Sequence, residues 1–186
     1  RSSSLTVNMA AGQQTIAGGS LTLAAGGSDA ATGYGAHVQL MAASGTQNIS
    51  VSGAMNLQGG SYNGAYGGAF QYGGYVWLFA PNQAIAAGSI TLAAGTTGHD
   101  NAVMVSSNMS QVVGANSITI RGGGDAGSYN NYAGIFQDGS GSQTINIGSG
   151  GTLAMYGGAG TGMGSNNYTW DCGWPATNEC AGQISW

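Results

Sequence analysis

The chain has 186 residues, of which 37 are glycine and only two are Lys or Arg, and its formal net charge is −4. With so few cations the chain has little to offer a phosphate backbone, so nucleic acid is not expected as a partner. Charged residues make up 4% of the chain, against about 25% in a typical domain, which favours a wall, fibre or matrix component, and no apolar run is long enough for a membrane-spanning helix.

The first predicted element is a pair of short strands around a small turn, from Gln14 to Leu23, and this phrase recurs along the chain. Apolar residues such as Ile16 and Leu21 alternate with small or polar ones, which is the period of a half-buried strand. Each copy begins with a glutamine and ends in a Gly-rich stretch; the glutamines are Gln14, Gln47, Gln83, Gln111 and Gln143. Repeats of about thirty residues predict units that bury their apolar faces by stacking. The glutamine column predicts a ladder of side-chain amides.

A third strand is predicted between successive copies of the phrase. It first appears at Ala36 to Leu40, and its equivalents lie at 75–79, 102–105 and 133–136. Glycine interrupts every window of helical length, so no helix is expected. Three strands with turns between them predict a coil of triangular cross-section.

Two segments carry a family resemblance, SGTQNISVSGAMNLQGG (44–60) and GSQTINIGSGGTLAMYGG (141–158). They resemble the repeats of filamentous haemagglutinin-like proteins and related autotransporter passengers, which are secreted bacterial right-handed β-solenoids. The resemblance covers most of residues 4–158 and implies an extracellular location. We therefore predict an all-β, right-handed parallel β-solenoid (β-helix) of about six coils with roughly three short strands each, built from residues 1–165.

The two ends of the sequence predict a joint between copies. The opening strand matches the second half of the phrase, and the closing segment resembles its first half; the joint residues are Leu5, Thr6, Val7, Gln183, Ile184 and Trp186. Either the sequence is a segment of a longer repetitive polypeptide, or subunits complete each other's terminal coil head to tail. We expect a structural subunit of an extracellular bacterial filament whose main partner is itself.

Residues 166–186 depart from the repeat and are predicted to form an irregular terminal segment of the same domain. Cys172 and Cys180 are expected to form a local disulfide, as pairs in secreted chains do. Two thiols without a nearby His fall short of a four-ligand metal site. The acidic residues stand singly, whereas paired acid–base chemistry needs two carboxylates at a fixed distance. No catalytic, cofactor-binding or metal-binding residue is predicted.

The densest aromatic cluster is a candidate adhesive patch, consisting of Tyr62, Tyr66, Tyr72, Tyr75 and Trp77. Aromatic side chains are enriched in interface cores, which favours packing or subunit contact. The alternative is a platform that binds glycans or a host surface, as in the shaft of an adhesin. A second rival, an ice-binding face, is suggested by outward threonines such as Thr91, but Asn56 and Ala154 interrupt that column.

Overall fold

The computed structural model describes residues 5–9, 12–27, 36–61, 74–95, 101–123, 131–156 and 183–184. These residues are all-β, and among them no helix is long and apolar enough to cross a membrane. The strands in chain order are β1 (Leu5–Met9), β2 (Gln13–Gly18), β3 (Leu21–Ala24), β4 (Val38–Ala42), β5 (Thr46–Val51), β6 (Ala54–Gln58), β7 (Val76–Phe79), β8 (Asn82–Ala93), β9 (Ala102–Ser107), β10 (Ser110–Arg121), β11 (Tyr132–Gln137), β12 (Ser142–Tyr156) and β13 (Gln183–Ile184).

The strands form two parallel sheets, and the chain alternates between them. The six-stranded sheet has the order β1-β4-β7-β9-β11-β13. The seven-stranded sheet has the order β12-β10-β8-β5-β2, with β3 beside β6 and β6 beside β8. The chain passes through the six-stranded sheet and then the seven-stranded sheet, and we call the strands of one such passage a unit. Unit 1 is β1–β3, unit 2 is β4–β6, unit 3 is β7–β8, unit 4 is β9–β10 and unit 5 is β11–β12.

The prediction of a right-handed solenoid with about six coils of three short strands is wrong. The described residues form two parallel sheets, and the seven-stranded one contains strands of 12, 12 and 15 residues (β8, β10 and β12). In these units the two predicted strands of the phrase are one continuous strand. The small residues between them, such as Ala87 and Gly88, stay extended and keep their ladder contacts: the Gly88 N–H donates to the carbonyl of Gly53 at 2.7 Å. The predicted turn therefore does not end the strand.

The hydrophobic core lies between the two sheets and is built from columns of inward-facing residues. Parallel pairing keeps the repeats in register, so each column contains one residue type or a close relative of it. One column of the seven-stranded sheet consists of Ile16, Ile49, Ile85, Val113 and Ile145. One column of the six-stranded sheet consists of Val7, Leu40, Leu78, Val105 and Ile135. Because successive strand residues point to opposite faces, the residues between them form the outer surfaces.

Stacked glycines bring the backbones of successive units close together after the seven-stranded sheet. A Cβ at Gly95 would overlap the carbonyl oxygen of Gly60, and a Cβ at Gly123 would overlap that of Gly95. Only glycine allows so close an approach. Contact between neighbouring units thus explains why positions 95 and 123 are glycine.

Candidate functional site

The interior of the molecule contains a continuous ladder of glutamine amides, as the repeats predicted. Gln47 Nε2 donates to Gln14 Oε1 at 2.5 Å, and each of the next three steps measures 2.7 Å; these steps are Gln83 to Gln47, Gln111 to Gln83 and Gln143 to Gln111. Gln14, Gln47, Gln83 and Gln111 are buried. Two of the amides also donate to main-chain carbonyls of the other sheet, Gln47 to Leu40 and Gln111 to Val105. The ladder therefore ties neighbouring units together and the two sheets to each other.

The ladder has a direction, because each glutamine after Gln14 donates to the glutamine of the preceding unit. At the unit 5 end, Gln143 Oε1 is buried and has no hydrogen-bond partner among the described residues. At the unit 1 end, Gln14 accepts from Gln47, and no glutamine of an earlier unit is described that could receive its own amide hydrogens. One end of the ladder thus presents an acceptor and the other a donor.

A second amide ladder, which sequence reasoning missed, lies where the chain enters the six-stranded sheet. Asn101 Nδ2 donates to Asn131 Oδ1 at 3.0 Å, and the Asn101 backbone N–H reaches the same oxygen at 2.9 Å. Asn101 Oδ1 in turn accepts from the Gly74 N–H at 3.0 Å. Both asparagines stand immediately before a strand, so alignment of the third strands would have revealed them.

The outer edges of units 1 and 5 expose apolar side chains of types that are buried in the interior units. At the unit 1 end, Leu5 is 57% and Val7 43% exposed; at the unit 5 end, Leu153 is 45% and Met155 46% exposed. Proteins usually protect sheet edges with charged residues or proline. Strands β1, β2, β3 and β12 contain neither. Both edges therefore combine exposed apolar side chains with strands that carry no such protection.

Unit 5 also holds every buried side-chain nitrogen or oxygen that lacks a hydrogen-bond partner in the described part of the chain. These atoms are Gln143 Oε1 and both amide atoms of Gln137, whose side chain is buried. Buried polar groups are nearly always paired, so a cluster of exceptions calls for an explanation. Both glutamines lie in unit 5, Gln137 at the end of β11 and Gln143 near the start of β12.

The structure places the predicted joint residues at opposite ends of the six-stranded sheet. Leu5, Thr6 and Val7 lie in β1 and pair with β4. Gln183 and Ile184 form β13 and pair with Gly134 and Ile135 of β11, while Trp186 lies outside the described residues. The sequence predicts that Gln183 and Ile184 form the first half of the phrase, and they would then lie beside Gln143. They lie in the other sheet instead, because the chain crosses to the six-stranded sheet after every long strand.

Two residues of the predicted aromatic patch, Tyr75 and Trp77, lie on the outer face of the six-stranded sheet, where both are half-buried. The Tyr75 ring stacks on His37 with 4.8 Å between centroids, and the Trp77 ring lies 5.8 Å from Phe79. Trp77 Nε1 donates to Ser106 Oγ at 2.9 Å. The other three residues of the patch, Tyr62, Tyr66 and Tyr72, lie outside the described residues.

Titratable chemistry is sparse in the described ranges. Burial lowers the pKa of His37 and raises that of Asp138, and the two lie in different units. Within those ranges no three His, Cys, Asp or Glu side chains come together as metal ligands would. Cys172 and Cys180, the predicted disulfide, lie outside the described residues.

Comparison with protein-family models, curated proteins and solved structures finds no significant match to this chain. The two unprotected edges, with their exposed apolar residues and the open ends of the glutamine ladder, are the candidate functional site.

Proposed function

We propose that this protein is a structural subunit of an extracellular bacterial filament or surface fibre. Copies assemble head to tail, and the parallel ladders of both sheets continue from one copy into the next. The observation that carries the proposal is the pair of open edges, because each exposes residues such as Val7 and Leu153 whose column neighbours are buried.

Edge-to-edge pairing supplies main-chain hydrogen bonds as the main attraction between copies. The two edges are different surfaces, so the contact is heterologous. Because copies stack along a single axis, the contact repeats without closing and generates an open fibre. The low content of charge supports the same role, because few like charges oppose dense packing of copies. The extracellular bacterial setting follows from the resemblance of the repeats to secreted bacterial surface proteins.

Electron microscopy of the purified chain, together with intact mass, tests this proposal. We expect unbranched filaments built from units of 18.3 kDa, with an axial strand repeat of about 4.8 Å. A chain that stays monomeric at every concentration in light scattering would overturn the proposal.

A matched pair of variants tests whether the edge is responsible. Leu153→Lys places a charge on the exposed edge and should abolish filaments, since edge charges oppose strand addition. Met109→Lys is the control, because Met109 is at least as exposed but lies in the turn between β9 and β10. Equal loss of filaments in both variants would show that the edge is not responsible for assembly.

A second candidate function is glycan binding by an adhesin shaft, favoured by the stacked aromatic rings on the outer face of the six-stranded sheet. A glycan array probed with monodisperse protein would show binding that Trp77→Ala abolishes. Tyr156→Ala, on the other sheet, is the control and should leave binding unchanged. Failure of the native protein to bind any glycan would exclude this function.

A further inference from the structure

We propose that copies join in one defined register, in which Gln14 of the incoming copy donates to Gln143 Oε1 and β1 of that copy replaces β13 on β11. This inference rests on the proposed head-to-tail assembly, because it needs a second copy at the unit 5 edge. Specific residues pair at the junction, and β13 leaves β11 before the incoming β1 binds there.

The direction of the glutamine ladder determines which end of an incoming copy fits the unit 5 edge. A copy added beyond unit 5 must offer a donor to the buried Oε1 of Gln143. Its unit 1 offers Gln14, which stands at the donor end of its own ladder. The reverse orientation would bring two acceptors or two donors together, so the ladder favours head-to-tail order.

The columns of apolar residues supply a further argument for this junction. With Gln14 beside Gln143, the columns bring Ile16 beside Ile145, and the three-residue register shift that β12 already shows against β10 brings Leu21 beside Leu153. The exposed apolar residues of both edges then cover each other. A slip by one residue would turn every side chain of the incoming strand to the opposite face. Burial of both edges therefore specifies this register.

In the six-stranded sheet, the incoming β1 and β13 compete for the same edge of β11. Strand β1 leads into β2 through three residues, so an incoming β2 on β12 brings β1 onto β11. The columns of that sheet place the incoming Val7 beside Ile135, which is where Ile184 of β13 pairs in the single chain. Both strands cannot occupy this edge.

The outcome of that competition follows from strand length. β13 pairs with two residues of β11, whereas β1 pairs with five residues of β4 and would pair with as many of β11. β13 pairs only with Gly134 and Ile135, so it makes no ladder contact at the end of β11, where Gln137 has its two unpaired amide atoms. The longer strand forms more ladder hydrogen bonds, so the incoming β1 displaces β13.

Cysteine cross-linking in the assembled chain tests the register. In the proposed junction Thr15 of one copy lies beside Thr144 of the next, with Cα atoms about 4.8 Å apart, within the range of about 4.4–6.8 Å that a disulfide spans. The double variant Thr15→Cys/Thr144→Cys should therefore link copies on oxidation. The control, Ala17→Cys/Thr144→Cys, is shifted by two residues, which separates the Cα atoms by about 8 Å and prevents the link.

Mass spectrometry of the linked peptides reads the result. The single variant Thr144→Cys reports any exchange with Cys172 or Cys180. We expect at least tenfold more 15-to-144 peptide than 17-to-144 peptide. Filaments in which the shifted pair links equally well, or in which neither pair links, would overturn the register while the proposed function stands. If no variant and no native protein forms filaments, the proposed function fails and the junction fails with it.

Deletion of residues 183–186 tests the displacement step. Without β13 the incoming β1 has no strand to displace from β11, so the critical concentration for assembly should fall severalfold. Deletion of residues 185–186 alone keeps β13 and serves as the control. An unchanged or higher critical concentration in the longer deletion would show that β13 is not displaced.

The axial rise of the filament gives an independent readout. Displacement leaves five units per copy and predicts a rise of about 24 Å, whereas retention of β13 as a sixth tier predicts about 29 Å. Cryo-electron microscopy separates these values, and a rise of about 29 Å would overturn the displacement.

Discussion

Ile118 and Leu153 are neighbours in one column of the seven-stranded sheet. Ile118 in unit 4 is fully buried, whereas Leu153 in unit 5 is 45% exposed. Similar side chains on the same face of the same sheet thus have different environments. In this column burial depends on having a unit on both sides, as in other stacked repeats. The interior units therefore stabilise the molecule, and the end units present the surface on which, in our proposal, another copy binds.

The largest expected effect is the loss of core packing in an interior unit. Ile118→Ala should lower the free energy of unfolding by about 2–5 kcal/mol, the usual cost of truncating a buried aliphatic side chain. Leu153→Ala, at the end of the same column, should cost less than half as much in the monomer. Urea unfolding followed by circular dichroism measures both. Equal costs would contradict the distinction between interior and end units.

Gln83, in an interior unit, and Gln143, in an end unit, should also differ in their effect on stability, by a somewhat smaller free energy of unfolding. Gln83→Leu removes the donor to Gln47 Oε1 and the acceptor of Gln111 Nε2, and each buried polar group left unpaired costs about 1–3 kcal/mol. Gln143→Leu removes only one hydrogen bond and also eliminates an unpaired oxygen. Thermal unfolding should show a clearly larger fall in Tm for Gln83→Leu. The ladder would not be a stabilising element if the two variants melted together.

Substitution by alanine should destabilise the protein at an interior glycine more than at a glycine of an end unit, because only the interior one is in close backbone contact. Gly123→Ala would force a Cβ into the carbonyl of Gly95, and overpacking of this kind costs about 1–3 kcal/mol. Gly18→Ala, in β2 of the first unit, meets no atom within 4 Å and should be neutral or slightly stabilising. Chemical unfolding of the two single variants measures the difference. A destabilised Gly18→Ala protein would indicate a neighbour at the unit 1 edge.

The smallest effect is expected at His37, whose ring stacks on Tyr75. Burial lowers the pKa of His37 below its ordinary value of 6.5, so the unfolded chain binds the proton first as the pH falls. Stability should be constant above about pH 6.5 and should decline below it, because the unfolded state then binds more protons than the folded state. Unfolding of the native protein and of His37→Gln between pH 8 and 5 measures this decline. A native decline that persists unchanged in His37→Gln would assign it to another group.

The repeated phrase allowed much of this structure to be predicted. The alternation of residues such as Ile49 and Val51 with polar neighbours identified the strands, and the spacing of the glutamines identified which residues align across units. Strand length was predicted wrongly, because Gly88 and its neighbours have the composition of a turn but continue the strand within β8. The asparagine ladder was missed because only two strands carry it, Asn101 before β9 and Asn131 before β11.

The sequence by itself determined the parallel, repeating all-β character of this protein and its amide ladder, because both follow from local periodicity and from identical residues at equal spacing. The tertiary structure decided how many sheets the strands form and which sheet Gln183 and Ile184 join. It also decided which members of each column remain exposed. These properties depend on contacts between units that lie far apart in the sequence, and a one-dimensional pattern does not contain them.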